Sequence, residues 1–176
     1  MFAELETERL YLKNISRGDR EFIFAQFSDD EVIEYLFDAE PMTDISEAES
    51  LITFYTASEP RDRHRWILVL KNGGEKIGTC GFHYWDRKNK NIDIGYDLQQ
   101  KYRRSGYMTE AVGEILNFIA RTTDIERVDA HIYIGNRASV ALAEKLGFRF
   151  YGETETLLFR GNEYFHRIYS KTIKRI

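Results

Sequence analysis

The stretch that decides the fold is Asn91–Leu116, N-I-D-I-G-Y-D-L-Q-Q-K-Y-R-R-S-G-Y-M-T-E-A-V-G-E-I-L. Its first eight residues, Asn91–Leu98, alternate apolar and polar side chains, the period of a half-buried strand. A basic, glycine-containing stretch, Lys101–Tyr107, follows. From about Thr109 to Arg121 the period becomes helical, with Val112, Ile115, Leu116 and Ile119 on one face. A strand that runs through such a loop into a helix presents unpaired backbone N–H groups, and the helix dipole favours an anion there. Gly106 lets the backbone turn and approach a ligand closely, and Lys101, Arg103 and Arg104 add three cations within four residues. That combination suits a phosphate. It is not a Walker loop, because no G-K-[ST] is present, and it is not G-x-G-x-x-G. The same residues also fit a tight left-handed turn with solvated basic side chains.

Working outward, Thr7–Asn14 alternates Leu10 and Leu12 against charged or amphipathic neighbours and predicts a strand. Ser16 with Asp19 resembles a capping box with Asp in place of Glu, ahead of a helix carrying Phe22, Ile23 and Phe27. Val32, Ile33, Leu36 and Phe37 predict a short second helix. Ile45, Ala48, Leu51, Ile52 and Tyr55 predict a longer third, stopped near Pro60. Trp66–Leu70 and Lys76–Tyr84 read as strands joined at Asn72-Gly73-Gly74. Beyond the central stretch come a strand, Val128–Ile134, and a short helix capped by Asn136 and ending at Leu146, where Gly147 supplies the left-handed position. Phe148–Glu153 and Phe165–Thr172 close the chain as strands, with Gly161-Asn162 near their turn. The order predicts a mixed α/β sheet.

Composition bounds the function. At 176 residues one domain spanning 1–176 is expected, and 43% hydrophobic with 14% aromatic residues is enough apolar surface to fold. A single cysteine, Cys80, excludes a disulfide framework. The four histidines (His64, His83, His131, His166) lie far apart without ligand spacing, so no metal is expected. No run approaches the ~20 apolar residues of a membrane helix, and the acidic start lacks a signal peptide's apolar core. A cytoplasmic protein with no membrane partner is the expectation. The net charge of −4 conceals an asymmetry: residues 1–60 hold 15 acids and 4 bases, while residues 61–176 hold 14 acids and 21 bases. The overall balance argues against nonspecific nucleic-acid binding, which needs a basic face.

Arg103-x-x-Gly106-x-Met108 resembles the R/Q-x-x-G-x-G/A signature of the GNAT acetyltransferase superfamily. L-E-T-E-R-L-Y-L near the start, I-D-I-G-Y before the loop and N-R-A-S-V-A-L-A-E-K-L-G-F (136–148) resemble its ribosomal-protein alanine N-acetyltransferase branch. The resemblance covers essentially the whole chain. It implies a mixed, mostly antiparallel sheet with a splayed parallel strand pair, flanked by helices. Those strands map onto Ile92–Leu98 and Val128–Ile134. It also implies acetyl-CoA as cosubstrate, with no metal. The pyrophosphate would sit near Arg103 on the N–H groups of about Arg104, Ser105, Gly106, Tyr107, Met108 and Thr109. Pantetheine would run beside Asp97, Leu98 and Gln99 as an added pseudo-strand and meet Asn136 and Ser139. Lys145 maps near a CoA phosphate, with a surface salt bridge as the other reading.

Two positions depart from the pattern. Met108 stands where the signature has Gly or Ala, and fits only if it points away from the pyrophosphate. Ala143 stands where many members carry a tyrosine acid, leaving Ser139 as the nearest matched acid, or water as the proton source. The resemblance implies direct attack of a primary amine on the thioester: a protein N-terminal α-amine or a small-molecule amine. A lysine-like amine of pKa ~10.4 costs about 4.6 kcal/mol to neutralise at pH 7, an α-amine near ~7.8 about 1.1 kcal/mol. Asp93 falls where the superfamily often places a carboxylate base, and a regular strand puts Asp93 and Asp97 on one face. A solvated strand residue is the other reading of Asp93. A nucleophilic role for Cys80 lacks a matched histidine.

The acidic first third would attract a cationic acceptor, or is simply a set of solvated helix faces. Tyr35, Phe37, Tyr84 and Trp85 are either acceptor-pocket aromatics or packing residues. Two rival readings stay open: a noncatalytic acyl-CoA-binding module, and an RNA-associated protein using Arg87, Lys88, Lys90, Lys101, Arg103 and Arg104. The branch also suggests a homodimer.

Overall fold

The computed structural model describes residues 2–175. Its strands are β1 (Leu5–Glu6), β2 (Leu10–Asn14), β3 (His64–Leu70), β4 (Lys76–Asp86), β5 (Asn91–Leu98), β6 (Arg127–Tyr133), β7 (Arg149–Phe159) and β8 (Asn162–Thr172). Its helices are α1 (Arg20–Phe27), α2 (Asp30–Ile33), α3 (Ile45–Thr56), α4 (Tyr107–Thr122) and α5 (Arg137–Lys145). All eight strands join one sheet in the order β1-β2-β3-β4-β5-β6-β8-β7, and every neighbouring pair is antiparallel except β5 with β6. The predicted alternation of elements is the observed one, with β1 added at the edge.

Each face of the sheet has its own core. Met108, Val112, Ile115 and Ile119 form the apolar stripe of α4 and pack with Trp66, Leu68, Phe82, Ile92, Ile94 and Val128. On the opposite face Ile23 of α1 and Ala48, Ile52 and Tyr55 of α3 pack on Ile15 and Ile67. Local chemistry sets the ends. The Ser16 N–H donates to Asp19 Oδ2 at 2.8 Å, the reach-back half of the expected box. Asp44 and Glu47 form a second box that starts α3.

Among the boundaries that differ from the sequence reading, three have a clear physical reason. Asp29 accepts from the Glu31 N–H at 2.9 Å and starts α2 early, and the helix stops before Tyr35 and Phe37. Those two rings turn instead onto the sheet. The last hairpin turns at Arg160 and Gly161 (φ 49° and 76°), one residue earlier than expected, as a tight turn with two left-handed residues requires. Strand β7 runs on to Phe159. It is an edge strand exposed along most of its length, so no burial alternation marks its extent.

Candidate active site

The parallel pair is short. Strands β5 and β6 are paired only at Asn91↔Arg127, Ile92↔Val128 and Asp93↔Asp129. Strand β5 stays in register with β4 from His83↔Asp93 to Gly78↔Leu98, so no bulge interrupts Gly95. Strand β6 meanwhile follows β8 to Tyr133↔His166. The two strands therefore diverge beyond Asp93, and among the described residues one edge of β5 from Ile94 to Leu98 has no strand partner. The Gln99 N–H donates to Ile77 O on β4 at 3.0 Å. By the two-residue period, Asp97 also turns its N–H and C=O to β4, and the groups of Ile94, Tyr96 and Leu98 face the gap.

The loop closes the wide end of this gap. Gly106 (φ 83°) is left-handed at the N-cap of α4, and Arg104 (φ 64°) is left-handed two residues before it. The first helical hydrogen bond runs from the Glu110 N–H to Gly106 O at 3.1 Å, so the N–H groups of Tyr107, Met108 and Thr109 precede it. Met108 is only 7% exposed and belongs to the core, so its side chain points away from these N–H groups.

The three cations have different fates. Lys101 Nζ pairs with Glu75 Oε1 at 2.6 Å, and Arg103 donates to the Leu98 and Glu31 carbonyls. Arg104 is exposed and has no ion-pair or hydrogen-bond partner among the described residues. A fourth cation, Arg9, braces the loop. Its Nη1 donates to Ser105 O at 3.0 Å, its Nε to Glu110 Oε2 at 2.7 Å, and its guanidinium lies 4.3 Å from the centre of the Tyr107 ring. Thr7 also bonds Glu110. The T-E-R of the first motif is thus a strut for the loop, a role that nothing in its local pattern announces.

Across the gap, Asn136 caps α5 by accepting the Ser139 N–H at 3.0 Å. The Ser139 hydroxyl is 2.6 Å from the Tyr96 hydroxyl. Burial pushes the Tyr96 phenol up to about 12. Ala143 is buried, and Lys145 is exposed in the last turn of α5.

The opposite face of β5 carries Asp93, Gly95 and Asp97 in a row. Asp97 is buried in a network: Arg65 Nη1 donates to its Oδ2 at 2.9 Å, Gln26 Nε2 to its Oδ1 at 2.8 Å, and the Thr79 N–H and hydroxyl complete it. Burial pushes its carboxyl up, against the pull of Arg65 and these donors. Its side chain is therefore occupied. Asp93 is open instead, beside His83 of β4 and His131 of β6, with Glu155 of β7 on the far side of His131. An aromatic wall borders this floor. Phe37 stacks on Tyr164 at 3.7 Å between ring centres and meets Tyr133 edge-on at 4.9 Å, and Tyr35 stacks on Tyr133. Tyr84 is 72% exposed and Trp85 packs on Phe2 and Phe82, so neither joins the wall. Cys80 is buried, and its thiol is pushed up to about 12 by burial, which removes it as a nucleophile.

A family model for the acetyltransferase (GNAT) domain matches residues 9–149. The chain belongs to the GNAT acetyltransferase family. It is 34% identical to the N-acetyltransferase YoaA of Bacillus subtilis (strain 168) over 172 residues, 97% of each chain. In fold it resembles RimL, a ribosomal L7/L12 α-N-protein acetyltransferase solved with coenzyme A, at TM-score 0.87 and 18% identity over 99% of this chain and 100% of that one. It also resembles a spermidine N-acetyltransferase from Vibrio cholerae, solved with CoA and spermine, at TM-score 0.82 and 18% identity over 93% of this chain and 95% of that one.

This GNAT chain gathers the sequence-predicted residues into two groups. Leu98, Arg104–Thr109, Asn136 and Ser139 border the gap, whereas the Asp93 side chain lies on the opposite face of the sheet, beside His83 and His131. Asp97 and Gln99 turn toward β4, Arg103 is committed to carbonyls, and Lys145 sits at the far end of α5. Arg9, Tyr96, His131 and Glu155 were not singled out by the sequence. Of these, only Tyr96 had a local signal, because strand alternation puts it on the face of β5 opposite Asp93. The six cations of the RNA reading do not form one patch: Arg87–Lys90 and Lys101–Arg104 lie at opposite ends of β5, and Lys90 pairs with Glu126.

Proposed function

We propose that the chain transfers the acetyl group of acetyl-CoA directly to a primary amine that arrives as a cation. The observation that carries this is the gap between β5 and β6, lined by free backbone edge, wide at the N-terminus of α4 and closing at Asp93. Leu98 lies five steps along the strand from Asp93, about 17 Å, a length a pantetheine chain can span. The pyrophosphate would rest on the N–H groups of Arg104–Thr109, with Arg104 as the free cation. The arm would pair with Ile94, Tyr96 and the Leu98 N–H, the Leu98 carbonyl being held by Arg103, which leaves the thioester near Asp93.

Tyr96 and Ser139 supply the hydroxyls on the leaving-group side. A phenol near 12 is a poor proton donor to a thiolate of ordinary pKa ~8.5, so the pair stabilises the thiolate by hydrogen bonding rather than by full transfer. Hydrogen bonds to charged groups contribute roughly 1.5–3 kcal/mol. Tyr96→Phe is therefore expected to lower kcat about 10- to 100-fold with acetyl-CoA affinity changed less than threefold. Steady-state kinetics with calorimetry checks this, and a loss that falls on affinity alone would make Tyr96 a binding residue.

The acceptor side supports a cationic amine through Asp93 and Glu155. The two solved structures that resemble it, a ribosomal-protein α-N-acetyltransferase and a spermidine N-acetyltransferase, both belong to enzymes named for amine acceptors. The test is thiol release from acetyl-CoA with N-terminal peptides, polyamines, amino acids and aminoglycosides. Release is expected with at least one cationic amine. Tight acetyl-CoA binding with no release from any of them would favour the noncatalytic acyl-CoA module instead.

A further inference from the structure

We propose that His131 is the group that takes the proton from the acceptor ammonium, with Glu155 and Asp93 as its positioning residues. This rests on the amine-acetyltransferase reading above.

The geometry has three parts. First, His131 Nδ1 lies 2.6 Å from Glu155 Oε1, a charge-assisted contact that fixes the ring and keeps a proton on Nδ1. Second, Nε2 faces Asp93 Oδ1 at 3.6 Å, beyond direct hydrogen-bond reach. An amine nitrogen beside this pair, off the line that joins Nε2 and Oδ1, reaches both groups at hydrogen-bond distance. Third, Asp93 and Asp129 are the last paired residues of β5 and β6, and His131 is the next side chain of β6 on the same face. It therefore stands at the point where the gap closes, where the thioester of a bound donor would end. The His131 side chain is 31% exposed, so the site is open to a ligand. Glu155 orients the base, the base faces the nucleophile, and Asp93 holds the ammonium; this is the base-and-orienter arrangement that activates nucleophiles generally.

The step balances. An N–H bond of the ammonium breaks and Nε2–H forms. The amine lone pair then attacks the thioester carbon, forming C–N and breaking C–S. The second N–H proton passes to the thiolate, giving amide and free thiol, and His131 returns its proton to water.

The surroundings set the pH range. The Asp93 carboxylate, and after it Glu155, push the imidazole up to about 9 against burial. His83 on β4 is held low by burial and by Arg65, so it stays neutral beside His131. Asp129 is tied to Arg127 at 2.8 Å, His166 of β8 lies opposite Glu155, and Asp38 adds a negative charge from the segment after α2. The free enzyme thus holds an imidazolium at neutral pH and gains its base form as pH rises toward 9. Folding follows the same coupling. The native state holds an extra proton between the ordinary 6.5 and about 9, so this stabilisation is complete below 6.5 and is lost through 9.

The test compares kcat/KM across pH 6–10 for the wild type, His131→Gln, Glu155→Gln and Asp93→Asn, using the panel amine that releases most thiol. One amine throughout cancels its own titration. His131→Gln is expected to lose at least 100-fold at high pH and to lose the limb near pH 9. Glu155→Gln and Asp93→Asn should move that limb downward. Acetyl-CoA affinity should stay within threefold, which excludes misfolding. Ring titration of His131 by NMR reads the elevated pKa without any acceptor. A limb unchanged in His131→Gln, or lost only in Asp93→Asn, overturns the assignment and returns the base role to Asp93. No thiol release from the wild type with any amine overturns the underlying reading instead.

Discussion

Asp97→Ala is expected to lower the unfolding free energy by about 3–5 kcal/mol, the loss typical when one member of a buried ion pair is removed. Arg65 is buried, and its guanidinium cannot lose its proton to escape the penalty. With Asp97 gone it keeps Thr79 Oγ1 at 2.6 Å and the Tyr55 hydroxyl at 3.1 Å, both neutral, plus the face of the Tyr55 ring at 4.8 Å. None supplies a countercharge. Gln26 loses its acceptor as well. Denaturant unfolding checks the figure, and a loss below about 1 kcal/mol would mean that Arg65 finds water. The double variant Arg65→Met/Asp97→Leu should recover most of the loss, because two apolar groups leave no charge unpaired. The effect also reaches function. The network ties α1 and α3 to β3, β4 and β5, and so fixes the face of β5 that presents Asp93 two residues beyond Gly95.

The fold was legible where one face of an element is buried and the other wet. The stripe of α4 and the alternation of β5 are of that kind, and their limits agree with the sequence within about two residues. Legibility failed at β7, whose exposure leaves no pattern, and at α2, where the Asp29 cap outweighs the apolar run to Phe37.

The site was legible in part, for a related reason. Gly106 and the loop cations are contiguous in sequence, and their chemistry is local. His131, Glu155 and Asp93 come from three strands, and only the sheet order brings them together. As one isolated histidine among four, His131 carries no motif. Asp93 and Asp97 read alike on one strand, yet Asp97 meets a buried arginine and Asp93 an open floor. That difference arises from β3, which shares no local pattern with β5. Charge was equally incomplete: three loop cations were visible, but the partners Glu75 and the carbonyls of Leu98 and Glu31 come from elsewhere in the chain.

Gly106→Val is expected to weaken acetyl-CoA binding at least 100-fold. At φ 83° a side chain of L chirality meets its own backbone, at about 1–2 kcal/mol, and a β-branched one is a marked outlier. A Cβ there would also stand 3.4 Å from Arg9 Nη2, on the side chain that braces Ser105 and Glu110. The strain is relieved only by rotating the peptides around residue 106, which turns the N–H groups of the loop away from a common point. Each charge-assisted bond to a pyrophosphate contributes roughly 1.5–3 kcal/mol, so losing two of them exceeds the ~2.8 kcal/mol that a 100-fold change requires. The loop is exposed, and the core side of α4 begins at Met108, so the variant should fold and melt near the wild type. Calorimetry with acetyl-CoA reads the affinity, and Gly106→Ala should give an intermediate loss. Met108→Leu is the contrasting control: its side chain lies in the core, and a volume-conserving change there should leave donor affinity within threefold. Unchanged affinity in Gly106→Val would remove the pyrophosphate from this loop, and with it the direction in which the donor arm enters the gap.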